Sequence, residues 1–494
     1  MAAAQREGGV IQTASPDSQA RSAPVLVAAI LLVVALTAAV SIDVVKTGYG
    51  VKSDEATYVA MGLSMAFDRD LTYERRDLER FVGLYRWGPD GIFLKKGKSF
   101  RVRFRGTPPF VHISRVEDRE ANRLYFGKSL VYPVLAAPFV RLFRLNGFLV
   151  FHILLLFLVS VCGYAFLAAR ARPGPALAFT LAFVFATCVP VYVVFLAPEI
   201  FNFTLVFVAY FLWTYKEVAP ERGWAWLRGP WSDVLAAVLI GTATYQKPSH
   251  ALLAAPIVLW WWWRRRFWPG VAMGAVAVLT TVALFGVNAL VTGEANYQGG
   301  DRKRFVGAFP FESKTHDVWH DDDHAAPLST NDSDADNVLQ DFTYRFAHNV
   351  EYFVIGRHFG FLPYFFPGVV AIGLWLLSRE RSSPWRAFTV LAVVGSAAVL
   401  LVLAPFTWSG GGGPPGNRYF MSVYAALFFV MPAMEAALWP SLLAWVGGAM
   451  FTAKMLMNPF VAAKFPNQTT EKGFARVLPI DFDVRDNDFV TILG

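Results

Sequence analysis

The run Pro24–Ile42, PVLVAAILLVVALTAAVSI, carries no charge and is long enough to cross a bilayer as a helix, which takes about 20 apolar residues. A short polar link separates it from Lys52-Ser53-Asp54-Glu55-Ala56-Thr57-Tyr58. Two adjacent carboxylates held so close to lipid need a reason. Ser53 is placed to cap a helix, with Asp54 and Glu55 in its first turn, where the helix dipole favours negative charge. On that reading they decorate a helix start; the alternative is a carboxylate presented at the membrane boundary for chemistry.

Composition narrows the class. The chain is 55% hydrophobic and 17% charged, and apolar runs of about 20 residues recur along it, which describes a polytopic membrane protein rather than soluble domains. The net charge of +8 falls in short basic clusters between apolar runs, so its placement is topological and no nucleic-acid partner is expected. Cys162 and Cys188 both lie inside apolar runs, which implies no disulfide framework. Residues 1–23 are polar and without periodicity, as expected of a disordered cytoplasmic tail. Pro24–Ile42 is too long for a signal-peptide core and lacks a convincing cleavage site, which predicts an uncleaved anchor.

Beyond the anchor, a polar segment to about Gly127 contains a candidate interfacial helix. Two runs in it, Phe81–Gly91 and Ser99–Phe104, alternate apolar and charged residues around Gly and Pro and predict a small β-hairpin insertion. Lys128–Phe143 is apolar but short and carries two prolines, which suits an interfacial or re-entrant helix. Further spans are expected near 147–169, 176–195, 200–215, 231–245, 251–263, 268–291, 360–377, 387–405, 419–436 and 441–456. The expected fold is an all-α polytopic bundle of about eleven transmembrane helices over residues 24–457, with outer loops 43–146, 292–359 and 407–418. Residues 458–494 follow as an outer-face C-terminal tail.

Orientation follows from charge. With a cytoplasmic N-terminus, the short inner connections hold Arg170 and Arg172, Lys216, Arg222 and Arg228, Arg264-Arg265-Arg266, and Arg379, Arg381 and Arg386. The short outer turns carry little positive charge, in agreement with the positive-inside rule. That topology puts Asp54, Lys128, Glu199, Lys247 and the Gly410–Arg418 loop on one outer face. No internal duplication and no cluster of mid-membrane charges points to a transporter.

Three constellations on that face could carry chemistry. Asp54, with Glu55 beside it, can serve as a general base toward an acceptor hydroxyl. Lys128, Lys247, Arg357 in Gly356-Arg357-His358, and Arg418 in Gly416-Asn417-Arg418-Tyr419 stand where loops meet spans, and a departing phosphate needs such partners. Taken singly, each also fits a snorkelling interfacial residue. His316, His320 and His324, interleaved with carboxylates, have a spacing that a divalent metal could use, although the surrounding Ser, Asp and Asn argue for a solvated loop. The segment Ala295–Arg304 reads as an ordered turn able to contribute to an acceptor site, and Glu199 as a lone acid at an outer turn.

At this point the chain resembles the GT-C class of membrane glycosyltransferases, such as the aminoarabinose transferase of lipid A and the protein O-mannosyltransferases. The resemblance rests on many spans, a large first outer loop and an acidic motif after span one, here Asp54-Glu55-Ala56-Thr57-Tyr58, with Gly127-Lys128-Ser129-Leu-Val-Tyr132-Pro133 similar to the amphipathic segment before span two. It implies a GT-C-like fold in a bacterial cytoplasmic membrane and an active site on the periplasmic or extracellular face. The implied reaction moves a sugar from a polyprenyl phosphate to a lipid, glycan or protein hydroxyl. Asp54 and Glu55 would be catalytic; Lys128, Arg357 and Arg418 would bind the donor phosphate; and Tyr58, Tyr132, Glu199, Lys247, His358 and Tyr419 would line the substrate site. No cofactor is required on this reading, with a divalent metal as an option. The rival expectation is a lipid-linked-sugar flippase or polysaccharide exporter.

Overall fold

The computed structural model describes residues 16–481 except 48–49, 98–99, 105, 109–110, 116–122, 220, 222–224, 299–301, 312–325, 328–341, 406 and 411. The chain is mostly helical with few strands. Helix α1 (Pro16–Ser41) contains the anchor, α2 (Asp54–Phe67) begins at the acidic pair, and α3 (Arg75–Leu84) follows. Each later run expected to span is wholly or partly helical, but among the described residues only four helices are long and apolar enough to cross a bilayer: Pro24–Ser41, Asn146–Ala168, Phe267–Thr292 and Pro384–Leu403. Others are shorter or interrupted. The run expected at 176–195 is helical over Pro173–Phe185 and 3-10 over Val189–Val193, and the run at 419–436 is an α-turn, Met421–Tyr424, followed by a 3-10 segment, Ala425–Val430.

That last segment is the centre of the molecule. Met421–Met431 is almost wholly buried, as is most of the helix Glu199–Val218. Aromatic rings lock the segment to its neighbours: Phe183 of the helix Pro173–Phe185 stacks on Tyr424 with centroids 4.2 Å apart, and Phe207 of Glu199–Val218 meets Phe428 at 5.0 Å. The outward faces are apolar too. Val25, Val33, Val278, Leu279 and Leu391 are each about two-thirds exposed, a pattern that is tolerable in hydrocarbon and costly in water. Close helix packing at one corner depends on a missing side chain. A Cβ on Gly147 would lie 2.3 Å from the backbone of Phe139 on the helix Val131–Phe143.

The first long loop departs from expectation. Phe81–Leu84 is the end of α3 rather than strand, because a capping box between Glu74 and Asp77 starts that helix and Leu78 and Phe81 bury its inner face. Phe100–Phe104 does belong to a hairpin, formed by β2 (Phe100–Phe104) and β3 (Val111–Arg115). The strand that matters most is β1 (Asp90–Lys96), which sits in a second sheet of order β4-β1-β5-β6, where β4 is Leu124–Phe126, β5 is Lys303–Val306 and β6 is Ala326–Pro327. β1 pairs antiparallel with β4 (Leu94 with Phe126) and with β5 (Ile92 with Phe305), so two loops far apart in sequence are joined above α2.

The ion pairs form separate sets. Arg170 and Arg386 both hold Glu380, at 2.7 and 2.5 Å, Lys216 holds Asp233, and Arg264 holds Glu217. Arg76 and Arg80 of α3 pair with Asp68, Asp70 and Asp77. A further set gathers at Asp54. Replacing Gly147 with Ala should cost about 1–3 kcal/mol of stability through overpacking, visible as a lowered melting temperature of the detergent-purified protein; an unchanged melt would contradict the close packing.

Candidate functional site

Asp54 is positioned by its own helix start and by β1. The Ser53 amide donates to the Asp90 carbonyl at 2.7 Å, and the Phe93 amide donates to the Thr57 hydroxyl at 3.0 Å, so the first turn of α2 is pinned to the strand. Ser53 occupies the cap position but does not cap: its φ of 48° is unusual for a non-glycine residue and its hydroxyl makes no capping bond. The turn is held by the sheet instead, a role that Ser53 alone could not announce.

One carboxylate oxygen of Asp54 lies 2.5 Å from the Lys128 ammonium and the other 2.9 Å from the Arg418 guanidinium. Arg418 also approaches Glu199 at 3.9 Å, and Lys247 lies 3.6 Å from the same Glu199 oxygen. Lys247 donates to the Arg418 carbonyl at 3.1 Å and sits over the Tyr419 ring. Glu55 turns the other way, accepting the Leu196 amide at 2.9 Å and pairing with Lys464. Arg302 lies over the Phe93 ring, which Lys128 also faces. Lys128, Lys247, Arg302, Arg418 and Lys464 thus stand against Asp54, Glu55 and Glu199, a surplus of positive charge in a largely desolvated place.

The electrostatics follow from that crowding. Burial pushes the Asp54 carboxyl up, but Lys128 and Arg418 more than offset it and hold it well below the usual carboxylate range. Burial lowers the Lys128 and Lys247 ammonium groups despite their acidic partners. Arg418 is raised despite burial, because Asp54 and then Tyr419 and Glu199 favour its charged form. For Glu55, burial outweighs Lys464 and moves the carboxyl up.

The glycine run has a structural explanation. Gly410 adopts φ of 95° and a Cβ there would lie 2.6 Å from the Arg418 side chain, which crosses it to donate from Nε to the Gly410 carbonyl at 2.6 Å. Asn417 donates to Trp408 and accepts the amides of Tyr419 and Phe420, and the Tyr192 hydroxyl donates to Gly416. The loop is therefore built to aim Arg418.

Of the residues singled out from the sequence, the structure brings together Asp54, Glu55, Lys128, Glu199, Lys247, Arg418 and Tyr419. Tyr58 adjoins them through a 3.1 Å bond with Ser129, while Tyr132 lies behind it, bonded to His152 at 2.8 Å. Arg357 and His358 sit elsewhere. The Arg357 guanidinium donates to the carbonyls of Arg476 and Leu478, and His358 bonds Thr470 at 2.6 Å, so both hold the C-terminal segment rather than face Asp54. His316, His320 and His324 lie outside the described residues; among the described residues no group of His, Cys, Asp or Glu is placed to hold a metal ion.

Lys464 and Arg302 are the residues that sequence reasoning missed. Lys464 belongs to the stretch expected to be a tail, which instead forms the helices Pro459–Lys464 and Asn467–Thr470 and continues packed to Asp481. Arg302 lies in the stretch expected to be an ordered turn, directly before β5, without any local mark of its role. No protein-family model, curated protein or solved structure matches this chain.

Asp481 is a buried carboxyl that docks against the turn at His358. Asp481 accepts the amides of His358 and Phe359, both at 3.0 Å, and burial pushes it up to about 8 despite those bonds. The folded value lies above the ordinary one, so between roughly pH 4 and 8 the native state holds a proton that the unfolded chain lacks, and docking weakens as pH rises across that window and levels off above about 8. Protease clipping of 473–481 should increase from pH 5 to 8 and Asp481→Asn should flatten that dependence; a flat profile in the unmodified protein would contradict it.

Proposed function

We propose that this protein is a membrane glycosyltransferase that moves a sugar from a polyprenyl phosphate to an acceptor hydroxyl, with Asp54 as the base. The observation that carries the reading is the Asp54 carboxylate clamped between Lys128 and Arg418 inside a cluster with surplus positive charge. Buried cations cost several kcal/mol each to desolvate, and a set with more cations than acids is suited to an anion. A phosphate diester entering between Lys128 and Arg418 takes over their hydrogen bonds. Asp54 is then freed of the two charges that depress its proton affinity, and it becomes a base only when the donor is in place.

The step balances simply. The acceptor oxygen attacks the anomeric carbon while its proton passes to Asp54, the bond from that carbon to the phosphate oxygen breaks, and polyprenyl phosphate leaves as an anion held by Lys128 and Arg418. Displacement in one step inverts the anomeric centre. The leaving group is already a phosphate, so no strong general acid is needed on that side.

Two further features support the reading. An apolar groove of about 630 Å³ is lined by α1 from Pro24 to Ile42 and also by Val194 and Pro459, close in sequence to Leu196 and Lys464, the partners of Glu55. Such a groove suits a hydrocarbon tail. The Glu380 and Asp54 ion-pair sets share no residue, which is compatible with a membrane bundle that is cytoplasmic at the Glu380 end and has its active site on the outer face of a bacterial cytoplasmic membrane.

Asp54→Asn should abolish sugar transfer from a polyprenyl-phosphate donor while the protein still purifies as a folded species. Lys128→Met should chiefly weaken donor binding, by roughly tenfold or more for the loss of one charged contact. Turnover assayed in detergent decides the matter: an active Asp54→Asn variant removes Asp54 from the chemistry, and an unmodified protein that moves the lipid but transfers no sugar favours a flippase.

A further inference from the structure

Beside the charged cluster lies a set of buried polar groups that the transfer step does not use. Glu199 is 3% exposed, and only one of its carboxylate oxygens faces Lys247 and Arg418; the other, Oε2, has no hydrogen-bond partner among the described residues. Asn202 is fully buried, and neither its Oδ1 nor its Nδ2 is partnered among them. Gln246 is 4% exposed, with Oε1 and Nε2 both unpartnered in the same sense. Chain position and the pairing of Lys247 with Glu199 link the three. Asn202 follows Glu199 by one turn on the helix Glu199–Val218, so the two share a face, and Gln246 ends the helix Pro230–Gln246 directly before Lys247. The Tyr297 hydroxyl donates to the carbonyls of both Tyr245 and Gln246, which fixes that helix end.

Leaving such groups unpaired costs their full desolvation, and side chains of this kind are retained where something satisfies them. Their inventory specifies the chemistry of the partner. Three acceptor oxygens need donors, and two amide nitrogens need acceptors. A phosphate without protons only accepts, and a hydrocarbon chain does neither. A hydroxyl both donates and accepts, so several hydroxyls on one rigid ring supply both kinds of bond at once. We infer that Glu199, Asn202 and Gln246 form a subsite that reads the hydroxyls of the donor sugar, with Asn202 and Gln246 as specificity-determining residues. The inference rests on the reading of the adjoining cluster as a lipid-phosphate site, since the sugar reaches the subsite when its phosphate lies between Lys128 and Arg418.

The test measures binding without turnover. Polyprenyl phosphate and polyprenyl-phosphate glucose, mannose, galactose and arabinose are titrated against the purified full chain, with no acceptor present, by their effect on its melting temperature. At least one sugar-bearing lipid should bind more tightly than bare polyprenyl phosphate, and Asn202→Ala and Gln246→Ala should each remove about tenfold of that preference while leaving the affinity for the bare lipid unchanged. Equal affinity for bare and sugar-bearing lipids, or variants that weaken both alike, overturns the subsite and leaves the phosphate site standing. No binding of any lipid phosphate overturns the phosphate site and the subsite with it. If the alanine variants do not fold, the unmodified protein is titrated with donors lacking single hydroxyls. Loss of at least tenfold for one of them is expected, because a site built to bond a hydroxyl rejects its absence, and no loss for any overturns the proposal.

Discussion

The double ion pair of Asp54 with Lys128 and Arg418 is the constraint on which the site depends. It draws together the start of α2, the entry to the helix Val131–Phe143 and the loop before the buried segment Met421–Val430, and Arg418 extends it to Glu199 and Lys247. Burying that many charges is poor economy for a fold alone, because hydrophobic replacements of similar volume are often as stable or more so. On the proposed function, the arrangement is a site kept charged for a ligand, in which the cations that pair with Asp54 would instead meet a phosphate.

The surrounding structure explains how the clamp is held without rigid covalent ties. β1 fixes the first turn of α2 through Asp90 and Phe93, and the strand is itself fixed by β4 and β5 from two distant loops. Arg418 is aimed by a loop that Asn417, Tyr192 and the open backbone at Gly410 shape from three sides. Glu55 is drawn away toward Leu196 and Lys464, so the two adjacent carboxylates act in different directions. Adjacent residues at a helix start point about 100° apart, and that divergence lets one face the cations while the other anchors the C-terminal segment.

Much of this was legible in the chain because membrane insertion sorts residues by depth. Apolar runs and the charges between them placed Asp54, Lys128, Glu199, Lys247 and Arg418 on one face, and those five do converge. Depth says nothing about lateral position, which is why Arg357 and His358, assigned to the same face, hold the C-terminal segment instead. Lys464 and Arg302 were invisible for the complementary reason: each acquires its role from groups hundreds of residues away in sequence, with no periodicity or spacing to mark it. Phe81–Leu84 misled because alternation around Gly and Pro hid the capping box that starts the helix they end. Asn202 and Gln246 inside apolar runs read as isolated polar residues, and only their burial without partners among the described residues gives them meaning.

A structure of the full chain with polyprenyl phosphate bound tests the central claim most directly. The account predicts the phosphate between the Lys128 ammonium and the Arg418 guanidinium, with the Asp54 carboxylate released from at least one of them. A phosphate bound elsewhere, with both Asp54 ion pairs intact, would contradict it.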